Sequence, residues 1–279
     1  GLRISAFRGG VILKRLKTMM LPTFAMFLIY VFLYWGNMQK LSYCALGEYK
    51  YGYWFTFALF LINLIHWFVA VGVKRFSLIE SGIEKWTLAA LALVAVMVLI
   101  LKNWDWNHNN ALLANWFSLR LIAMYFPFYL FGMVCRHFRG LYHRLIDKEW
   151  LVALVVVAFV VSLFHHGGGF YFGCVQGLLG IFLLYRFCYF YQDSFSDKTW
   201  VGKQLSMIGR NTLPIYLIHY FFFLGLKLYG LGGAIDLHTQ WVLMMLVALL
   251  LTMCVTYASL AMAKVISLSR LMAKLLIGK

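Results

Sequence analysis

Charge is what this sequence has least of. Charged residues make up 12% of its 279 positions, against about 25% in soluble domains. That excludes an ordinary soluble domain and reads as an integral membrane protein. The apolar runs also lack the strict alternation of a porin-type strand, which excludes a barrel. Soluble cofactor and metal motifs are missing: there is no GxGxxG, no GxxxxGK[ST], no HExxH and no DxD in a loop. Cysteine is sparse, and Cys44, Cys135, Cys174, Cys188 and Cys254 show no CxxC or metal-ligand spacing. Four of them sit in or beside apolar runs as small core residues, whereas Cys44 falls in an expected outer loop. No internal repeat, low-complexity segment or linker interrupts the chain. One polytopic membrane domain is therefore expected over residues 1–279. The missing repeat counts against a transporter built from paired broken helices, which stays the alternative together with a membrane protein that has no enzymatic site.

What is present is grease and aromatic rings. Hydrophobic residues make up 63% and aromatics 19%, with a mean hydropathy of +0.81. The fold class expected is an all-α integral membrane bundle of eight spans. They run over about 19–36, 53–73, 86–101, 117–135, 150–164, 170–191, 211–229 and 241–263. Segments 1–18, 74–85, 136–149, 192–210 and 264–279 then share one side and hold nineteen of the 25 Lys and Arg. The heavy side is the cytosol, so both ends of the chain are expected there, in a cytoplasmic membrane. The net charge of +16 follows from these loops meeting anionic lipid, and no nucleic-acid partner is expected.

The candidate site residues gather in Ser206-Met-Ile-Gly-Arg-Asn-Thr-Leu-Pro-Ile-Tyr-Leu-Ile-His-Tyr220. Asn211 or Thr212 can serve as N-cap of a helix there, with Pro214 in its first turn. Thr212, Tyr216, His219 and Tyr220 share one face. At ~1.5 Å per residue His219 lies about 12 Å in from Asn211, close to the midplane of a core about 30 Å thick. An ionisable group at that depth is a functional-site candidate. The competing explanation is a neutral histidine bonded between helices, and the residues alone leave both open. A second group is Lys14-Arg15-Leu-Lys17-Thr18, just before the first span. Its cations suit a phosphate-bearing ligand such as coenzyme A and equally a topology signal. A third is the polar set inside spans: Asn63, His66, Arg120, Gln176 and Arg186. Arg120 and Arg186 can snorkel, and Asn63 and Gln176 suit interhelical bonds. Adjacent His165 and His166 cannot easily face one ion, and His137 and His143 lie in a basic loop, so no metal site is expected.

Gly209-Arg-Asn-Thr-Leu-Pro-Ile-Tyr-Leu-Ile-His219 resembles the late-span motif of the membrane acyltransferase 3 family. Lys14-Arg15-Leu-Lys17-Thr18-Met-Met-Leu-Pro22 is similar to its basic stretch before the third span. Tyr53-Trp54-Phe55 with Ala58-Leu59 is similar to the start of its fourth, and Phe131-Gly132 before a basic turn also fits. The matches occur in family order. The resemblance implies ten core spans, of which this chain shows eight, so the first two are expected upstream, as its initial glycine also suggests. It implies an enzyme that moves an acyl group, often acetyl, from acyl-CoA to a hydroxyl of a carbohydrate or similar cell-surface acceptor. Acyl-CoA is then a cosubstrate, and no bound cofactor is implied. The Arg and His that the family carries on its first span pair, the latter its favoured base, would also lie upstream. In this chain the resemblance implies His219 at the site, supported by Tyr216, with Lys14, Arg15, Lys17 and the motif's Arg210 drawing in the donor's phosphates. The family's Arg-x-x-Arg falls on Arg15 and Thr18, so only Arg15 matches. Lys14 and Lys17 supply point charges and not bidentate forks.

Overall fold

The computed structural model describes residues 9–35, 41–47, 49–76, 83–108, 115–164, 169–226 and 241–278. The His165-His166 pair and the Gly-rich stretch 230–240 lie outside these residues. All regular structure among the described residues is helical. In order come α1 (Gly9–Arg15), a π-helical segment (Leu16–Met20), α2 (Leu21–Trp35), α3 (Leu41–Leu46), a 3-10 turn (Lys50–Gly52) and α4 (Trp54–Phe76). Then follow α5 (Ile83–His108), α6 (Leu119–His137), α7 (Arg139–Ile146), α8 (Glu149–Phe164) and α9 (Phe170–Phe190). The chain closes with α10 (Trp200–Arg210), α11 (Thr212–Leu226), α12 (Trp241–Ile266), α13 (Arg270–Met272) and a second π segment (Ala273–Ile277).

Five helices are long and apolar enough to cross a membrane: Ile12–Leu33, Trp54–Arg75, Leu119–His137, Phe172–Phe190 and Val242–Ile266. Shorter apolar helices, Lys85–Ile100, Glu149–Phe164 and Thr212–Phe222, lie where the other three expected spans fall. The protein is thus a multi-pass, all-helical membrane protein. Many of its large apolar side chains face outward, among them Phe164 and Leu184, as a surface solvated by lipid requires.

The backbone forms two compact units. The first comprises Gly1–Val11 and Leu61–Lys203. In it α6 packs on α5 and α9, α9 on α8, and α7 bridges α6 and α8. Asn63 and His66 of α4 meet Tyr129 of α6. His66 Nδ1 lies 2.6 Å from the Tyr129 hydroxyl, which in turn lies 3.5 Å from Asn63 Oδ1. These polar groups link two helices, as such groups do in lipid. Arg186 on α9 reaches Asp147 at 4.0 Å, past the end of α7.

The second unit comprises Ile12–Phe60 and Gln204–Lys279 and contains every candidate residue named above in the two basic and motif stretches. Its core joins Met26, Phe27, Tyr30 and Val31 of α2 to Leu217 and Ile218 of α11 and to Ala273 and Ile277 near the C-terminus. Three expectations need correction here. Cys44 is not in an outer loop: it sits on α3 at 0% exposure, in this core. Residues 192–210 are not all loop, because Trp200–Arg210 form α10. The basic C-terminal tail is no free amphipathic end. It buries Ala273 and Ile277 against α2, and Gly278, at φ +70°, comes so close to the Thr18 carbonyl that a Cβ there would collide with it.

The link between α2 and α4 also differs from a simple outer loop. Thr23 Oγ1 donates to Thr56 Oγ1 at 3.0 Å, and the Tyr53 ring meets Phe27 and Tyr30 edge-on. Helix α4 therefore begins beside the middle of α2, roughly 12 Å short of Trp35 by helical rise. The chain folds back along α2 through α3 and the 3-10 turn before α4 starts. Non-helical backbone at such a level is tolerated only where protein covers it, and here α11 supplies the cover.

Candidate functional site

The turn that starts α4 and the polar face of α11 form one hydrogen-bonded assembly. Helix α4 opens with backbone N–H groups that have no intrahelical acceptor. No side chain of its own caps them in the sequence Gly52-Tyr-Trp-Phe55. Tyr216 does so from α11: its phenol oxygen accepts the Phe55 N–H at 3.1 Å. The same hydroxyl donates to the Gly52 carbonyl at 2.5 Å, and Tyr220 donates to that carbonyl at 2.9 Å. Two phenols thus fill both lone pairs of one carbonyl. In return Tyr53, 1% exposed, donates to the Leu217 carbonyl of α11 at 3.0 Å.

Gly52 is the residue that makes this closure possible. Its φ is +96°, and a Cβ at that position would overlap the Tyr220 ring. Lys50, two residues earlier, holds a left-handed φ of +43°. A non-glycine residue there is strained, and such strain persists where surrounding contacts enforce it. The Lys50 ammonium donates to the Ala45 carbonyl at 3.0 Å and lies 4.8 Å above the Phe57 ring. Burial pushes its proton affinity below that of an ordinary lysine.

His219 sits on the same face of α11, half-buried rather than sealed in. Its Nδ1 is 2.7 Å from the Tyr216 carbonyl and 3.2 Å from that of Ile215. Carbonyl oxygens only accept, so Nδ1 carries the proton and the neutral ring holds its lone pair on Nε2. The Tyr220 ring lies 3.9 Å from the imidazole, centroid to centroid, and fixes its plane. The tautomer set by the helix is the one that presents a base at Nε2.

Tyr216 and His219 are thus neighbours, but not through the phenol. The backbone carbonyl of Tyr216 holds the imidazole, while its hydroxyl is turned to Gly52 and Phe55. Tyr216→Phe would leave the Phe55 N–H without this acceptor, at a cost of about 1–3 kcal/mol. A lowered thermal midpoint of the detergent-solubilised protein is the expected readout, with Tyr220 still holding Gly52.

The helix start is not capped by side chains as the motif suggests. Asn211 Nδ2 donates back to the Met207 carbonyl of α10 at 2.8 Å, and Thr212 Oγ1 to that of Gly209 at 2.8 Å. Both hydroxyl and amide finish α10 instead of opening α11. Asn211 still occupies the N-cap position by backbone, since its carbonyl accepts the Ile215 N–H at 3.0 Å. The result is a tight break that lets α11 leave in a new direction one residue after Arg210. Arg210 itself is exposed and donates through Nε to the Ser206 carbonyl at 3.3 Å.

Lys14 and Arg15 end α1, and Lys17 lies in the π segment that follows. Lys14 and Lys17 are exposed, and Arg15 is half-buried. The widened π turn gathers these cations at the start of the first long apolar helix, and such turns are common at functional sites. Thr18 Oγ1 donates to the Lys14 carbonyl at 2.9 Å, within this irregular segment. What the sequence does not reveal is the Lys50–Tyr53 turn. The nearest signal was Gly52 directly before the Tyr53-Trp54-Phe55 stretch, with no hint of its partner 164 positions later.

No curated protein and no solved structure matches this chain significantly. The family model of an acyltransferase domain matches residues 4–261, a stretch that takes in the basic segment, the Gly52 turn and the His219 face, and by that match the chain belongs to the membrane acyltransferase 3 family.

Proposed function

We propose that this acyltransferase moves an acyl group, acetyl in the first instance, from cytosolic acyl-CoA to a hydroxyl of a carbohydrate or other cell-surface acceptor. The observation that carries the reading is the fixed tautomer of His219 in a family whose chemistry is acyl transfer. A hydroxyl attacks a thioester poorly until a base takes up its proton, and imidazole suits that task near neutral pH. In this proposal His219 Nε2 lines the site and accepts the acceptor's hydroxyl proton in a hydrogen bond. The new ester forms as the C–S bond breaks, and coenzyme A leaves as its thiol.

Lys14, Arg15 and Lys17, with Arg210, supply positive charge for the donor's phosphates. All four belong to the same compact unit as His219. Tyr216 acts as a positioning residue through its carbonyl and its grip on Gly52. The proposal includes an eight-crossing topology in a cytoplasmic membrane, with the basic loops and both chain ends in the cytosol, because nineteen of the 25 Lys and Arg then face one side.

The test is acyl transfer in membrane vesicles carrying the protein, given acetyl-CoA labelled in its acetyl group. Base-labile label in a carbohydrate fraction, with stoichiometric release of free thiol, is the expected result. Neither label nor thiol above that of vesicles lacking the protein would end the reading.

A further inference from the structure

A recess of about 420 Å³ opens in the first unit, between α6, α7 and α9. Its floor is apolar and aromatic: Phe128 and Phe131 of α6 face Ile181 and Tyr185 of α9. Its rim is basic, with Arg136 in the last turn of α6 and Arg139 in the first turn of α7. Among the described residues no carboxylate pairs with either arginine. The nearby acid, Asp147, lies against Arg186 instead. Arg139 donates through Nε to His143 Nε2 at 3.3 Å. That bond fixes the guanidinium plane, and its two terminal amino groups form the fork that phosphate oxygens accept.

The two floor helices are both long and apolar enough to cross a membrane. Val134 on α6 and Leu184 and Phe187 on α9 face outward beside the recess. An acyl chain can therefore enter from the lipid without leaving hydrocarbon, while a phosphate meets the arginines where α6 ends. Such basic pockets between helices, at the level of headgroups, suit anionic lipid. Gly132 lines the recess too, and a side chain there would meet nothing within 4 Å. The empty space over Gly132 is part of the cavity.

We infer that this recess binds one anionic phospholipid, with its phosphate on Arg136 and Arg139 and an acyl chain over Phe128, Phe131 and Ile181. A soluble anion would have no use for the apolar floor, and a zwitterionic lipid would bring a choline or ethanolamine cation to two arginines. The site is built from residues that the acyl-transfer proposal does not use, so it stands or falls separately.

Native mass spectrometry of the detergent-solubilised protein tests it, by titration with phosphatidylglycerol and with phosphatidylcholine of identical chains. One phosphatidylglycerol is expected to be retained in preference. The double variant Arg136→Gln/Arg139→Gln should weaken its retention roughly 25-fold, about fivefold for each charge removed. Gly132→Leu, which fills the recess and leaves both arginines in place, should abolish it at an unchanged thermal midpoint. Equal retention of the two lipids would overturn the inference, as would unchanged phosphatidylglycerol retention in both variants. So would stoichiometric displacement of phosphatidylglycerol by acetyl-CoA, which would give the recess to the donor.

Discussion

His219→Ala is expected to lower acyl transfer by about two orders of magnitude or more, the usual span for losing a positioned proton acceptor, while the protein stays folded in the membrane. The separation of the two effects follows from the hydrogen bonds. The imidazole's Nδ1 bonds only add to the Ile215 and Tyr216 carbonyls, which lie inside α11 and keep their helical partners when the ring is gone. Removing the ring therefore unpairs no backbone group, and the lost contact is one half-buried ring against Tyr220. Turnover measured with labelled acetyl-CoA beside a thermal midpoint distinguishes the outcomes. His219→Gln offers an acceptor oxygen but cannot take a proton, so it should recover little if Nε2 serves as a base. Near-normal turnover in the alanine variant would remove His219 from the site.

The parts of this site that are local in sequence were legible, and those that depend on distant contacts were not. The spacing of Tyr216, His219 and Tyr220 puts them on one helical face whatever surrounds the helix. It does not say which way each side chain turns. The Tyr216 phenol points to Gly52 because α4 begins with an uncapped N–H and a carbonyl with room for two donors. Asn211 and Thr212 carry the residue types of an N-cap, yet their side chains satisfy the end of α10, where free carbonyls lie within reach. Helix α10 itself was hidden in a polar loop, although Val201, Leu205 and Ile208 recur at helical spacing. The fold-back before α4 was harder still. Residues between two apolar spans read as outer loop, and only the packing of Cys44 and Tyr53 against α2 and α11 shows otherwise. The family pattern, in contrast, is carried by contiguous residues, and the match over 4–261 confirms that resemblance.

Gly52→Ala should be more damaging to the fold than any other single methyl added near the site. An L residue held at left-handed φ loses about 1–2 kcal/mol, and Gly52 stands at +96°. The added Cβ would also overlap the Tyr220 ring, so either the turn or the ring must move. Moving the ring breaks its bond to the Gly52 carbonyl and withdraws the face that orients His219. A fall in stability of about 3 kcal/mol is expected from strain and a lost buried hydrogen bond together, with acyl transfer reduced in whatever remains folded. A double-mutant cycle separates the two causes. Tyr220→Ala removes the obstruction, so Gly52→Ala should cost less in that background than in the parent, with a coupling of about 1 kcal/mol or more. The remaining cost is the backbone strain. If the two substitutions add without coupling, the turn is held by something other than the Tyr220 ring, and the grip of α11 on the start of α4 would not be what sets the imidazole in place.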